Sequence, residues 1–115
     1  MPSPSLPVVF LLAPFRGLSF AQRQHVETVV QTVKTELVHA GNMPVGVSDW
    51  ADHPLPADAL DAGQEVWKAC VRAVVLRCDR VIVVSTPGVP EDPLADWLRG
   101  WAPKHAILVE SWSRE

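Results

Sequence analysis

Apolar residues along this chain alternate between short continuous runs and stretches with helical spacing. The runs Val8–Leu12 and Arg80–Ser85 are rich in residues that favour strands, and the first, apolar throughout, predicts a strand that is buried on both faces of a parallel sheet. Residues 43–47 predict a short second strand, placed at an edge because it contains a proline and a glycine. Residues 106–109 predict a last strand, and residues 110–115 a polar C-terminal tail.

Three helices are predicted between these strands. Ser19 begins the first and is followed at capping-box spacing by a glutamine. Asp58 or Asp61 could cap the second, which ends near residue 77. Asp92 and Pro93 are typical of an N-cap and a first helical residue, and predict a third helix to about residue 99. The expected buried stripes are Val26, Val29, Val30, Val33 and Leu37 in the first helix, and Val66, Ala69, Cys70, Ala73 and Val74 in the second.

The order of these elements, βαβαβαβ, predicts right-handed crossovers and a parallel sheet. We therefore expect an α/β fold of the flavodoxin-like kind, a three-layer sandwich with strand order 2-1-3-4 and helices on both faces. The 115 residues suit a single domain spanning residues 1–115. Residues 1–6 form a loose lead-in without the basic region of a signal peptide, and the apolar runs are too short to cross a membrane.

Charge and cysteine content narrow the classes of function. A formal net charge of -3 argues against a partner such as duplex nucleic acid, which requires a clustered basic surface. Cys70 and Cys78 form no CxxC pair and have no histidine at metal-ligand spacing, so we interpret them as small buried thiols of a cytoplasmic protein. Trp97, Trp101 and Trp112 could pack at the edge of the core or form a subunit interface. Edge strands and exposed tryptophans favour a homodimer or larger homo-oligomer.

Ligands of parallel sheets bind beyond the carboxyl ends of the strands, near the point where the strand order reverses. Three loops of this chain meet at that edge. The first contains Pro14, Phe15, Arg16 and Gly17, and could hold a phosphate or carboxylate through backbone N–H groups and the guanidinium. An ordinary strand-to-helix turn with a solvated arginine explains the same residues equally well.

The other two loops carry the remaining candidate residues. Asp49 and His53 could contact a ligand in the second loop, although a polar surface loop would look the same. The third loop contains Gly88 and Glu91, and Asp96 lies about one turn inside the helix that follows, with its side chain directed back toward the loop. A carboxylate there could attack or stabilise the anomeric carbon of a sugar. Alternatively, Asp96 is a surface acid favoured by the helix dipole.

Three segments of the chain together resemble a known family. They are the Pro-Phe-Arg-Gly loop of residues 14–17, the run Gly-Asn-Met-Pro-Val of residues 41–45, and the run Leu-Arg-Cys-Asp-Arg-Val-Ile-Val-Val of residues 76–84. Over residues 8–109 the chain resembles the nucleoside 2-deoxyribosyltransferase-like superfamily, which includes deoxynucleoside-monophosphate N-glycosidases. The resemblance implies N-glycosidic bond cleavage or base transfer on a deoxynucleoside or deoxynucleoside monophosphate.

The resemblance also implies roles for particular residues. Asp96 occupies the position of the family's nucleophilic glutamate, and residues 14–17 match the loop at its sugar and phosphate site. Neither a metal nor a redox cofactor is required by that chemistry. The chain departs from the pattern in having an aspartate as nucleophile and few glycines before it. These departures favour an alternative function, a catalytically silent module of the same fold that binds a nucleotide or a protein partner.

Overall fold

In the computed structural model the described residues are 6–14, 18–46 and 60–113, and within the last range the side chains are described from residue 68 onward. The elements in chain order are β1 (Val8–Leu12), α1 (Phe20–His39), β2 (Met43–Gly46), α2 (Leu60–Val75), β3 (Arg80–Ser85), α3 (Pro93–Trp101), a 3-10 turn (Ala102–His105) and β4 (Leu108–Ser113).

The four strands form one parallel sheet in the order β2-β1-β3-β4, which confirms the predicted topology. A reciprocal pair of hydrogen bonds joins the beginnings of the two central strands. The Val8 N–H donates to Asp79 Oδ2 at 2.6 Å, and the Asp79 N–H donates to the Val8 carbonyl at 2.8 Å. Asp79 therefore fixes the start of β1 against the start of β3.

The central strands are buried on both faces and supply two separate cores, which confirms the prediction made for β1. Because successive side chains of a strand point to opposite faces, Phe10 and Leu12 pack with α2 and α3, whereas Val9 and Leu11 pack with α1. We call these the α2–α3 core and the α1 core. The helices therefore lie on both faces of the sheet, and each face has its own apolar interior.

The first helix follows the sequence prediction closely. The Ser19 hydroxyl accepts the Gln22 N–H at 3.2 Å, and the Gln22 side chain accepts the Ser19 N–H at 3.0 Å, which completes the capping box. Gly41 ends the helix with a φ of 84°, a left-handed conformation that glycine adopts readily. Its buried residues are those expected, Val26, Val29, Val30, Val33 and Leu37.

The second helix buries a different stripe from the one expected. Val71 and Val75 are fully buried, whereas Ala69, Cys70 and Ala73 are exposed; of the expected residues, Val74 is half-buried and packs against the α2–α3 core. The two stripes have the same helical spacing and differ by about one position, so periodicity could not separate them. Burying two valines removes more apolar surface from water than burying alanines, and this decides the helix rotation. The helix begins at Leu60, so Asp61 lies in its first turn rather than at its cap; Asp58 and the side chain of Val66 lie outside the described part.

The interpretation of two buried thiols is wrong for Cys70, which is exposed, and holds only in part for Cys78, which is half-buried. Burial raises the pKa of the Cys78 thiol, and the neighbouring Asp79 carboxylate raises it further. Both thiols are free rather than joined in a disulfide. The exposed position of Cys70 follows from the rotation of α2 described above.

The last strand begins later and runs further than predicted. The 3-10 turn continues the third helix to His105, and Ala106 then adopts a φ of 58°, so the strand cannot begin before this reversal. Residues 110–113, expected in a polar tail, belong to β4, where Glu110 accepts two hydrogen bonds from the Arg80 guanidinium at 2.9 and 3.0 Å. The polar residues of this strand are thus tolerated because it lies at the edge of the sheet.

The three C-terminal tryptophans do not form one cluster. Trp97 and Trp101 stack with ring centroids 5.5 Å apart and pack against the α2–α3 core, whereas Trp112 packs against the α1 core on the opposite face. Lys68 and Arg72 of α2 lie 5.8 and 5.9 Å from the Trp97 ring centroid. These cation–π contacts attach α2 to α3.

Among the described helices, none is long and apolar enough to cross a membrane.

Candidate functional site

The strand order reverses between β1 and β3, because the chain moves from β1 to β2 on one side and later returns to β3 on the other. The crevice beyond the carboxyl ends of these two strands is where parallel sheets usually bind ligands. Ala13 and Pro14 continue β1 into this crevice and are buried. Ser85 and Thr86 end β3 beside them, since Leu12 is in register with Val83.

A group of polar side chains is connected to the end of β3, and we call it the Arg99 cluster; it consists of Ser85, Glu91, Asp96 and Arg99. The Ser85 hydroxyl donates to Glu91 Oε1 at 3.2 Å. Arg99 donates from Nη1 to Glu91 Oε2 at 2.6 Å and from Nη2 to Glu91 Oε1 at 3.1 Å. Arg99 Nη1 also lies 3.5 Å from Asp96 Oδ1. One guanidinium therefore connects both carboxylates to the strand end.

The two carboxylates of the Arg99 cluster differ in their surroundings. The hydrogen bond from Arg99 is the largest of several effects that lower the pKa of Glu91, and the same bond raises the pKa of Arg99. Glu91 is therefore ionised and held in a fixed orientation by a bidentate pair. The Asp96 side chain is 91% exposed and lies 3.5 Å from Arg99 Nη1, so its carboxylate is open to solvent and less firmly held than that of Glu91.

The start of α3 places these residues. The buried Asp92 side chain accepts the Leu94 N–H at 3.0 Å, and Pro93 occupies the first turn, which confirms the predicted cap. Asp96 and Arg99 are three residues apart, a spacing that puts two side chains on the same side of a helix. The cap thus fixes where α3 begins, and the helix then presents Arg99 to Glu91, with Asp96 beside Arg99.

The loop between β3 and α3 contains a buried hydroxyl at the same end of the sheet. Thr86 is 3% exposed, and its Oγ1 atom has no hydrogen-bond partner in the described part of the chain. The Val89 N–H donates to the Thr86 carbonyl at 3.1 Å and closes a turn in which Gly88 has a φ of 78°. Gly88 is exposed and has no neighbouring atom where a Cβ would stand, so its backbone conformation explains the glycine.

The structure brings two predicted site residues together and leaves others undescribed. Glu91 and Asp96 meet at Arg99, while Pro14 and Gly88 lie at the ends of the neighbouring strands. The predictions that fall outside the described residues are those for Phe15, Arg16, Gly17, Asp49 and His53.

Arg99 is the functional candidate that sequence reasoning missed. Its distance of three residues from Asp96 is a signal for an ion pair on a helix. Its distance of eight residues from Glu91 spans the helix start and gives no such signal, because the pairing depends on how the loop folds back.

Two other features of the described residues bear on ligand binding. In the described ranges, no group of three histidine, cysteine, aspartate or glutamate side chains is placed to hold a metal ion. An open depression runs along the polar side of α1, where Thr28, Thr32 and Thr35 lie. Their hydroxyls donate to backbone carbonyls of the preceding turn at 2.9–3.0 Å. The depression therefore offers fewer polar groups to a ligand than its composition suggests.

Comparisons of the chain with protein-family models, with curated proteins and with solved structures found no match. The class that the fold and the site define is an α/β domain with a four-stranded parallel sheet and a charged cluster at its carboxyl edge. The resemblance to the nucleoside 2-deoxyribosyltransferase-like superfamily stays a prediction.

Proposed function

We propose that this chain cleaves the N-glycosidic bond of a deoxynucleoside or deoxynucleoside monophosphate, or transfers its base. The observation that carries this proposal is the joining of Glu91 and Asp96 by one guanidinium, which Glu91 connects to Ser85 at the carboxyl end of β3, one of the two strands that border the crevice. Carboxylates are the side chains that attack and stabilise an anomeric carbon in glycoside chemistry, and this crevice is where the fold binds ligands.

The chemistry needs one carboxylate that attacks the sugar and one fixed negative charge. An oxygen of Asp96 attacks C1′ of the sugar, the C1′–N bond breaks, and the electron pair leaves with the base, which takes a proton from water. Water then hydrolyses the glycosyl ester, which releases the sugar and restores the carboxylate; in base transfer, a second base attacks instead. Glu91 stabilises the positive charge that develops on the sugar ring.

The remaining predicted contacts complete the proposal. Arg16 and the backbone N–H of Gly17 would hold the phosphate or the sugar hydroxyls, and Asp49 or His53 would contact the ligand. None of these bond-forming and bond-breaking steps requires a metal or a redox cofactor. We place the protein in the cytoplasm, for which the two free thiols are support.

Base release tests the proposal directly. The purified protein is incubated with each of the common deoxynucleosides and their 5′-monophosphates, and free base is measured by chromatography. We expect release from at least one substrate and a loss of about a hundredfold or more in Asp96→Asn, as when a covalent catalyst is removed. Glu27→Gln is the matched control, because this exposed carboxylate lies on α1. Release that persists in Asp96→Ala would rule out the proposed nucleophile.

A second function is favoured by one specific observation. Arg99 occupies both oxygens of Glu91, and Asp96 is almost fully exposed to water, whereas nucleophiles are usually held in place by neighbouring groups. The chain would then be a catalytically silent module that binds a nucleotide or a protein partner. A nucleotide that raises the melting temperature without any release of base supports this function over catalysis. If no nucleotide raises the melting temperature, the function that remains is a silent module that binds a protein partner.

We also propose that the chain acts as a homodimer or larger homo-oligomer. The support is the exposed edge strand β4 and its half-buried Trp112, since such edges are usually paired or protected in native proteins. Light scattering coupled to size-exclusion chromatography tests this, and a single chain mass at every concentration would contradict it.

A further inference from the structure

The two edges of the sheet differ in how they can accept another strand. β2 has four residues, and one of them, Pro44, lacks a backbone N–H. Natural proteins use short edge strands and prolines to prevent pairing with other chains. β4 has six residues without proline or lysine, and it pairs with β3 without interruption from Leu108 to Ser113. No described strand pairs with its outer side, so β4 is the open edge.

The side chains of β4 divide between the two faces of the sheet. Val109 packs against the α2–α3 core, so Ser111 and Ser113 point to the same face, because alternate residues share a face. Trp112 packs against the α1 core, which places Leu108 and Glu110 on that other face. Leu108 is 59% exposed, and Glu110 is neutralised by Arg80 within the same chain. The six positions of the open edge therefore carry one charge, that of Glu110, which is paired with Arg80 but still present at the edge.

We propose that β4 pairs antiparallel with β4 of a second copy of this chain and joins the two sheets into one of eight strands. An open edge accepts another extended edge, and the proline in β2 disfavours pairing between β2 and β4. Pairing of β4 with itself is the remaining arrangement, and it is isologous, so the assembly closes at two copies. This inference rests on the homo-oligomer proposed above and is independent of the proposed chemistry.

The charges select the alignment of the two strands. Around a two-fold axis perpendicular to the sheet, each residue lies opposite one on the same face, and the alignments with the greatest overlap centre on Glu110 or on Ser111. Centring on Glu110 places two carboxylates directly opposite each other, which is unfavourable. Centring on Ser111 places two small hydroxyls at the axis, with Trp112 opposite Glu110 of the other copy. The second alignment is the one we propose.

Two variants of Ser111 test this interface. We expect the unmodified protein to have twice the mass of one chain by light scattering. Ser111→Lys places two ammonium groups opposite each other at the axis, and we expect its mass to fall to one chain while its circular dichroism spectrum stays that of the folded protein. Gln31→Lys adds the same charge on the exposed side of α1 and should remain dimeric.

Cross-linking gives a second measurement that does not depend on dissociation. In a Cys70→Ser background, which removes the exposed native thiol, Ser111→Cys should form a disulfide between copies on mild oxidation, because residues at the axis approach within disulfide range. Ser113→Cys is the matched control and should cross-link at least tenfold more slowly, since Val109 lies opposite it.

The outcomes separate this interface from oligomerisation in general. A single chain mass for the unmodified protein at every concentration would overturn both proposals. A dimer that Ser111→Lys leaves intact, with Ser111→Cys failing to cross-link, would overturn the β4 interface and leave the homo-oligomer standing. If Ser111→Lys does not fold, the relative cross-linking rates of the two cysteine variants decide the question.

Discussion

Replacing Asp92 with alanine removes the cap that sets the start of α3 and lowers the free energy of unfolding. Asp92 is 6% exposed, and its carboxylate accepts the N–H of the fully buried Leu94 at 3.0 Å. Loss of an N-cap costs about 0.5 to 2 kcal/mol, and a buried N–H left without a partner costs about 1 to 3 kcal/mol. Because both describe the same bond, we expect about 2 kcal/mol in total, at the upper end of the cap range.

This loss converts to a measurable shift in the melting temperature. An unfolding entropy of about 2.1 cal/mol/K per residue gives about 240 cal/mol/K for 115 residues, so a loss of about 2 kcal/mol lowers the melting temperature by about 8 °C. Circular dichroism during thermal and urea unfolding measures it. Asp92→Asn keeps an acceptor oxygen and should lose much less, because asparagine caps helices about as well as aspartate.

The comparison residue is Ser19, which caps α1 in an exposed position with a bond of 3.2 Å to the Gln22 N–H. Ser19→Ala should cost about 1 kcal/mol or less, since water can satisfy the N–H that is released. If Asp92→Ala costs no more than Ser19→Ala, burial does not strengthen the α3 cap, and the reasoning is refuted. If Asp92→Asn loses as much as Asp92→Ala, the hydrogen-bond acceptor is not what stabilises the helix start.

Three further predictions follow from burial and charge. Leu98→Ala empties a fully buried position and should cost about 3 to 5 kcal/mol, seen as a lower urea midpoint; a loss below about 1 kcal/mol would contradict the packing described. Because the pKa of Glu91 is lowered from 4.5, its ion pair stabilises the fold above pH 4.5 and this contribution is lost as the pH falls through the lowered pKa. Glu91→Gln should flatten the stability curve in that acidic range, by less than about 1 kcal/mol because the pair is partly exposed, and an unchanged slope would count against it. Cys70 should react with a thiol reagent in the folded protein well before Cys78, whose pKa is raised by burial; equal rates would show that α2 is oriented differently.

The sequence predicted the topology because each central strand is apolar on both faces and the starts of α1 and α3 carry their own caps. Ser19 and Asp92 are local signals, and local signals survive folding when the surrounding structure agrees with them. The predicted buried face of α2 was wrong because two rotations of that helix match the spacing of its apolar residues equally well. Only the packing against the sheet shows that the fully buried pair is Val71 and Val75, and not Ala69 and Ala73.

The last strand and the candidate site show a different limit of sequence reasoning. The reversal at Ala106 requires a left-handed φ on a residue that rarely adopts one, so no pattern marks the true start of β4. At the site, the carboxylates were found from their position after β3. Arg99 was not, because its contact with Glu91 depends on the path of a loop rather than on spacing along a helix.

The hydrogen bonds between Asp79 and Val8 select the native register of β1 over a register shifted by one residue. A slip of β1 by one position would exchange Val9 and Leu11 with Phe10 and Leu12 between two apolar interiors. In a strand with one wet face, such a slip is prevented because it exposes apolar side chains. Here both faces are apolar, so hydrophobic burial alone discriminates only weakly. The carboxylate and N–H of Asp79 fit the N–H and carbonyl of Val8 in one alignment only. A single polar residue outside both cores therefore sets the register of a strand that is buried on both faces.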